Sequence, residues 1–153
     1  MKNDFLPVLR RGFAVWLVIM LAESLQGTAR IIFLEPVIGD FKARQLAVFT
    51  GILIILAISY FFVWFLRAKN NLHLFSVGLL WFVLTAAFEI SLGRLLNLSW
   101  ERILSDYDIL NGGLMSIGLL VLLFAPLIAA NLRNKFSRKG EIIGFYKSKP
   151  NDF

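Results

Sequence analysis

The sequence predicts an all-α integral membrane protein, a bundle of four transmembrane helices built from a tandem repeat. Three observations carry that prediction. Of 153 residues, 58% are hydrophobic and only 17% charged, against about 45–50% and about 25% in a soluble domain. The apolar residues collect in four runs, each long enough to cross about 30 Å of hydrocarbon as a helix. The polar residues repeat: a shift of 66 positions lays those of one half on those of the other.

In order along the chain, residues 1–12 form a basic N-terminal segment with Lys2, Arg10 and Arg11. Basic residues before an apolar run resemble a signal peptide, but the run is too long and no small-residue cleavage site follows. The first repeat covers 13–69, with spans at about 13–34 and 46–66 and a short interfacial helix at about 35–43. The second covers 70–135, with spans at about 72–96 and 114–132 and an interfacial helix at about 99–110. A basic tail at 136–153 closes the chain.

The register of the repeat places Glu23 on Glu89, Gly27 on Gly93, Glu35 on Glu101 and Asp40 on Asp106. Gln45 falls on Asn111, Thr50 on Ser116, Arg67 on Arg133 and Lys69 on Lys135. The interfacial helices come from the same register. Leu34, Val37, Ile38 and Phe41 make an i, i+3, i+4, i+7 stripe matched by Trp100, Ile103, Leu104 and Tyr107. Glu35 and Glu101 sit in the first turn, where a carboxylate complements the helix dipole, and Pro36 suits a first helical position. Two spans per repeat keep the same orientation, so the copies are expected to be related by a pseudo-two-fold axis along the membrane normal. Arg30 and Arg94 miss this register by two, and Pro126 in the last span, a kink position, has Tyr60 as its counterpart in the first repeat.

Orientation follows from Lys and Arg. Eleven lie at the termini and in the loop between the second and third spans, and only Lys42, Arg44 and Arg102 lie in the other two loops. Both termini are therefore expected in the cytoplasm, most simply at a bacterial inner membrane. The net charge of +6 is then topology, with the lipid bilayer as partner and no nucleic acid. The tail cations could also touch anionic lipid.

Glu23 and Glu89 fall at membrane depth, where a charge costs roughly 2.5–3.5 kcal/mol and faces protein or water. Gly27 and Gly93, one turn beyond, are expected to permit close helix packing on that face, and Thr85 precedes Glu89 by one turn. Two arrangements remain open. Each Glu pairs structurally with Arg30 or Arg94, or each exchanges a proton while the arginines hold an anion. Glu35, Asp40, Glu101, Asp106 and Asp108 form an outer polar cluster beside Lys42, Arg44 and Arg102. Asn111-Gly112-Gly113 reads as the break before the last span, and Trp16, Trp64 and Trp81 as packing or boundary residues.

Much chemistry is excluded. With no Cys and one His, His73, thiol, iron–sulfur and bis-histidine haem chemistry are absent, and no metal or cofactor is expected. No phosphate loop, HExxH helix or nucleophile elbow occurs, so no catalytic residue is assigned. Leu21-Ala22-Glu23 with Gly27-Thr28 resembles the first helix of the small multidrug resistance transporters. That resemblance implies four spans and a functional membrane glutamate. It covers only this stretch: the glycine stands one residue late, the family's later packing motifs are missing, and no functional residue is carried over.

The expected function is a transporter or ion pathway using Glu23 and Glu89, acting as a homodimer because four spans leave little room for a solvated cavity. The alternatives are an accessory or assembly subunit of a larger membrane complex, held by Glu–Arg pairs, and a lipid-facing enzyme at the outer carboxylates.

Overall fold

The computed structural model describes residues 5–147, with side chains through Lys135; the basic tail expected at 136–153 lies outside the described side chains. Four helices are long and apolar enough to cross a membrane, at Phe5–Ile38, Asp40–Leu66, Asn71–Leu95 and Met115–Lys135. No strand occurs among the described residues.

The first rod is α1 (Phe5–Ala29), a π-turn (Arg30–Leu34) and the short α2 (Glu35–Ile38) in continuous succession. Gly39 ends it with φ of +82°, a conformation open to glycine because no Cβ clashes there. α3 (Asp40–Leu66) follows, with Asp40 in its first turn. The second half contains α4 (Asn71–Leu95), α5 (Trp100–Ser105), a 3₁₀ turn (Ile109–Asn111) and α6 (Met115–Lys147). Side-chain caps set three of these starts. Asn70 caps α4 by accepting from the His73 amide, and Ser99 caps α5 by accepting from the Arg102 amide. Asp108 accepts from the Leu110 and Asn111 amides at the 3₁₀ turn.

The expected helix at 35–43 is thus not one helix. Its apolar stripe has the right period, but Gly39 divides it: 35–38 complete the first rod and 40–43 begin the next. In the second half a helix does stand apart, as α5, though it is shorter than 99–110 because the chain turns at Asp106 toward the 3₁₀ segment.

The principal contacts run α1–α3, α3–α6, α6–α4 and α4–α1, so α1 and α6 lie on one diagonal and α3 and α4 on the other. α1 and α4 run parallel. The Trp16 indole donates to Thr85 Oγ1 at 3.0 Å, and the Trp81 indole to the Gly12 carbonyl at 2.7 Å. Both indoles are buried, so each bond satisfies a donor that lipid could not. Val15, Ile19, Val77, Leu122, Ala125 and Ala129 fill the centre, whereas large residues such as Phe33, Phe61 and Leu95 face outward, as lipid-facing positions do. α6 runs through the buried Pro126.

Close approach uses Gly12 and Gly78. A Cβ on Gly12 would stand 3.0 Å from Val77 Cγ1, and one on Gly78 would collide with the Leu123 carbonyl of α6. Gly27 does not act in this way, and Gly93 admits α5 in place of another long helix. No atom lies within 4 Å of a Cβ built on Gly27, whereas one on Gly93 would stand 3.0 Å from Ile103 of α5. Replacing Gly78 with Val is expected to cost about 1–3 kcal/mol, or to block assembly, because a backbone carbonyl cannot step aside. Thermal unfolding in detergent checks this, with Gly27→Ala expected to unfold within about 0.5 kcal/mol of the parent.

Candidate functional site

The helices diverge between the buried core and the α2–α3 corner and enclose a cavity of about 640 Å³. It belongs to a single chain, so no second copy is needed to form it. Glu23 on α1 and Glu89 on α4 both line it, together with apolar side chains such as Met20, Ile55, Phe88 and Leu122. The Glu23 carboxyl rests on α3, where only glycine admits it: a Cβ on Gly51 would come within 2.8 Å of Glu23 Oε2. Glu23 Oε1 is buried and makes no hydrogen bond. Glu89 lies one turn beyond Thr85, the residue already bonded to Trp16, and within electrostatic range of Glu23 and Asp106.

Arg30 and Arg94 pair with neither glutamate. Arg30, at the head of the π-turn, reaches outward to Glu35 Oε2 at 3.6 Å and Asp40 Oδ1 at 3.4 Å. Arg94 donates to the Leu98 carbonyl at 3.1 Å and lies 5.0 Å over the Trp100 ring. No Lys or Arg comes within salt-bridge distance of Glu23 or Glu89 among the described residues.

The outer polar cluster separates into different roles. Asp40, Arg44, Asp106 and Arg102 close into a ring. Arg44 bridges Asp40 at 3.0 Å and contacts Asp106, while Arg102 bridges Asp106 at 3.0 Å and Asp40 at 3.5 Å. With Arg30 and Glu35 the network sets three guanidiniums against three carboxylates, so it carries no net charge. Two of its links are i, i+4 pairs within a helix. The other two join the start of α3 to the α5 turn. Asp108 caps the 3₁₀ turn, and Glu101 is exposed in the first turn of α5. Neither joins the ring.

Backbone as well as charge borders the cavity at this end. Gln45 donates to the Gly112 carbonyl at 3.1 Å, and Gly112 adopts φ of +87° hard against the Phe41 ring. Gln26 bonds Thr50 Oγ1 at 2.6 Å and the Ala47 carbonyl at 3.0 Å, tying α1 to α3. Tyr107 stands between the ring and Glu89. Its hydroxyl is buried without a hydrogen bond of normal geometry. Burial first, and then the Glu89 and Asp106 carboxylates, push its proton affinity up to about 12, so it remains a donor at any physiological pH.

In sequence Arg44 and Arg102 stand as neighbours of the acidic residues, and the Asp40–Arg44 and Arg102–Asp106 spacings signal two of the ring's bonds. Tyr107 and Gly51 carried no such signal, since each acts across helices. Among the described residues no three His, Cys, Asp or Glu side chains gather to hold a metal. No protein-family model, curated protein or solved structure matches this chain.

The ring's side chains are a fifth to two-fifths exposed, so solvent weakens each pair, and the network geometry offsets part of that loss. A double-mutant cycle of Arg44→Gln and Asp106→Asn is expected to give a coupling of about 1 kcal/mol at low salt, shrinking as the ionic strength rises. Detergent unfolding across a salt series measures both.

Proposed function

We propose that this protein is a small membrane transporter or ion pathway in which Glu23 and Glu89 are the proton or cation sites. One observation carries the proposal: two membrane-depth carboxyl groups line a single cavity, and the two arginines that also line it, Arg30 and Arg44, make their ion pairs with Glu35, Asp40 and Asp106 and none with either glutamate. A carboxylate that only supports a fold is normally paired, because an isolated charge in a low dielectric is costly. These two lack that compensation and share a space large enough for water or a small solute.

The finer architecture belongs to the same proposal. The 66-residue register brings Asp40 and Asp106 into one ring and Glu23 and Glu89 to one cavity, which suits two related halves around an axis along the membrane normal. The halves differ in detail, since Gly39 divides one interfacial segment and α5 stands free in the other. The excess of Lys and Arg at the end holding Phe5 supports a cytoplasmic location for that end, in a bacterial inner membrane. The accessory-subunit alternative rests on Glu–Arg pairs, and Arg30 and Arg94 make their contacts with other groups. Of the outer carboxylates on which the enzymatic alternative rests, Asp40 and Asp106 are engaged by guanidiniums.

The test is flux through proteoliposomes loaded with a pH-sensitive dye and given a proton, Na⁺ or K⁺ gradient. The parent protein is expected to dissipate at least one of these. Glu23→Gln and Glu89→Gln should each lower that rate at least about tenfold, while thermal stability stays within about 1 kcal/mol, since no ion pair is broken. Absence of flux in the parent, or full flux in both variants, would overturn the proposal.

A further inference from the structure

A second cavity, of about 330 Å³, opens at the opposite end of the bundle, between the α3–α4 turn and α6. Its chemistry is the reverse of the first. Arg67, Lys69 and Arg133 line it with the carboxamides of Asn71, Asn131 and Asn134, and none of the described lining residues is acidic. Each of these side chains offers N–H donors.

The basic groups are held in place. The Arg133 guanidinium lies 4.1 Å over the Trp64 ring and 5.7 Å from the Tyr60 ring, and Nη1 donates to the Tyr60 carbonyl at 3.1 Å. Stacking fixes the guanidinium plane and leaves most of its five N–H donors unused. Arg67 ends α3 at φ of +50°, its amide bonded to the Trp64 carbonyl at 3.1 Å. Glycine is the usual residue for that left-handed position, and here it carries an arginine onto the cavity rim. No carboxylate bridges Arg67 or Arg133 among the described residues. The 25-residue α4 also begins at this cavity, adding the positive end of its dipole.

We propose that this cavity binds a phosphate-bearing anion. Two guanidiniums, several carboxamides and a helix start line one cavity, and a phosphate group complements them with several acceptor oxygens. The site lies where α3 ends and α4 begins, at the level of the lipid headgroups. An anionic phospholipid and a soluble phosphate would present the same group here. The site is remote from Glu23 and Glu89, and its existence does not depend on the flux proposal.

Native mass spectrometry of the intact chain in detergent tests it, with phosphatidylglycerol and phosphatidylcholine titrated separately and inorganic phosphate as competitor. One phosphatidylglycerol per chain should be retained in clear preference to phosphatidylcholine if a headgroup is the source. Displacement by millimolar inorganic phosphate would instead assign a soluble phosphate to the same site. Arg67→Gln is expected to weaken retention about fivefold, the contribution of one basic residue at an anionic membrane surface. Arg67 is exposed and can be changed without disturbing the Arg133–Trp64 stack. Arg67→Gln/Arg133→Gln should lose more, and Lys42→Gln, at the other end, nothing. Equal retention of the two lipids with no effect of phosphate, or unchanged binding by Arg67→Gln, would overturn the proposal.

Discussion

A bilayer offers apolar side chains the same surroundings as a protein interior, so burial alone does not draw membrane helices together. Close approach and internally satisfied polar groups must do so, and the bundle is arranged around that constraint. Gly12 and Gly78 let α1 meet α4 and α4 meet α6 at distances where dispersion contacts are numerous. The indoles of Trp16 and Trp81 cross between α1 and α4 in opposite directions, one donating to a hydroxyl and the other to a carbonyl. These bonds fix the register of the two parallel helices, and that register brings Thr85 and Glu89 alongside Glu23.

The same scarcity of water sorts the charges. Three arginines and three carboxylates meet where the helices turn, partly exposed, and there solvent shares the cost of keeping them ionised. The arginines that are near Glu23 and Glu89 in sequence are drawn away, Arg30 into the ring network and Arg94 onto Trp100 and the Leu98 carbonyl. At the other end Arg67 and Arg133 gather at one cavity, and neither bridges a carboxylate among the described residues. The molecule therefore has a neutralised ring and a carboxyl-lined cavity in one half, and an anion-attracting cavity at the opposite end.

Glycine serves two different purposes in this arrangement. At Gly78 the missing side chain lets two backbones touch. At Gly27 and Gly51 it makes space: both line the larger cavity, Gly27 with nothing near it and Gly51 beneath the Glu23 carboxyl. The π-turn at Arg30–Leu34 borders that cavity through Arg30 and Ile31, and π-turns inside long helices often occur at functional positions. Its widened hydrogen bonding is suited to local rearrangement where the cavity meets the ring.

Composition and apolar run length alone determined that four helices would be long enough to cross a membrane, because solvation by lipid is a property of each segment by itself. Local caps were equally legible in kind, since Ser99 and Asp108 act within three residues of their own positions. The i, i+4 halves of the ring follow from sequence spacing too. The helix at 35–43 misled because an apolar period says nothing about φ, and Gly39 takes a value that breaks the helix. Partners across helices could not be read at all. That Glu23 would rest on Gly51, that Arg44 would find Asp106 and that Arg30 would turn from Glu23 all depend on how α1, α3, α4 and α6 pack. Only the tertiary structure decided them, because a side chain at membrane depth takes the partner that packing brings within reach, whatever its distance along the chain.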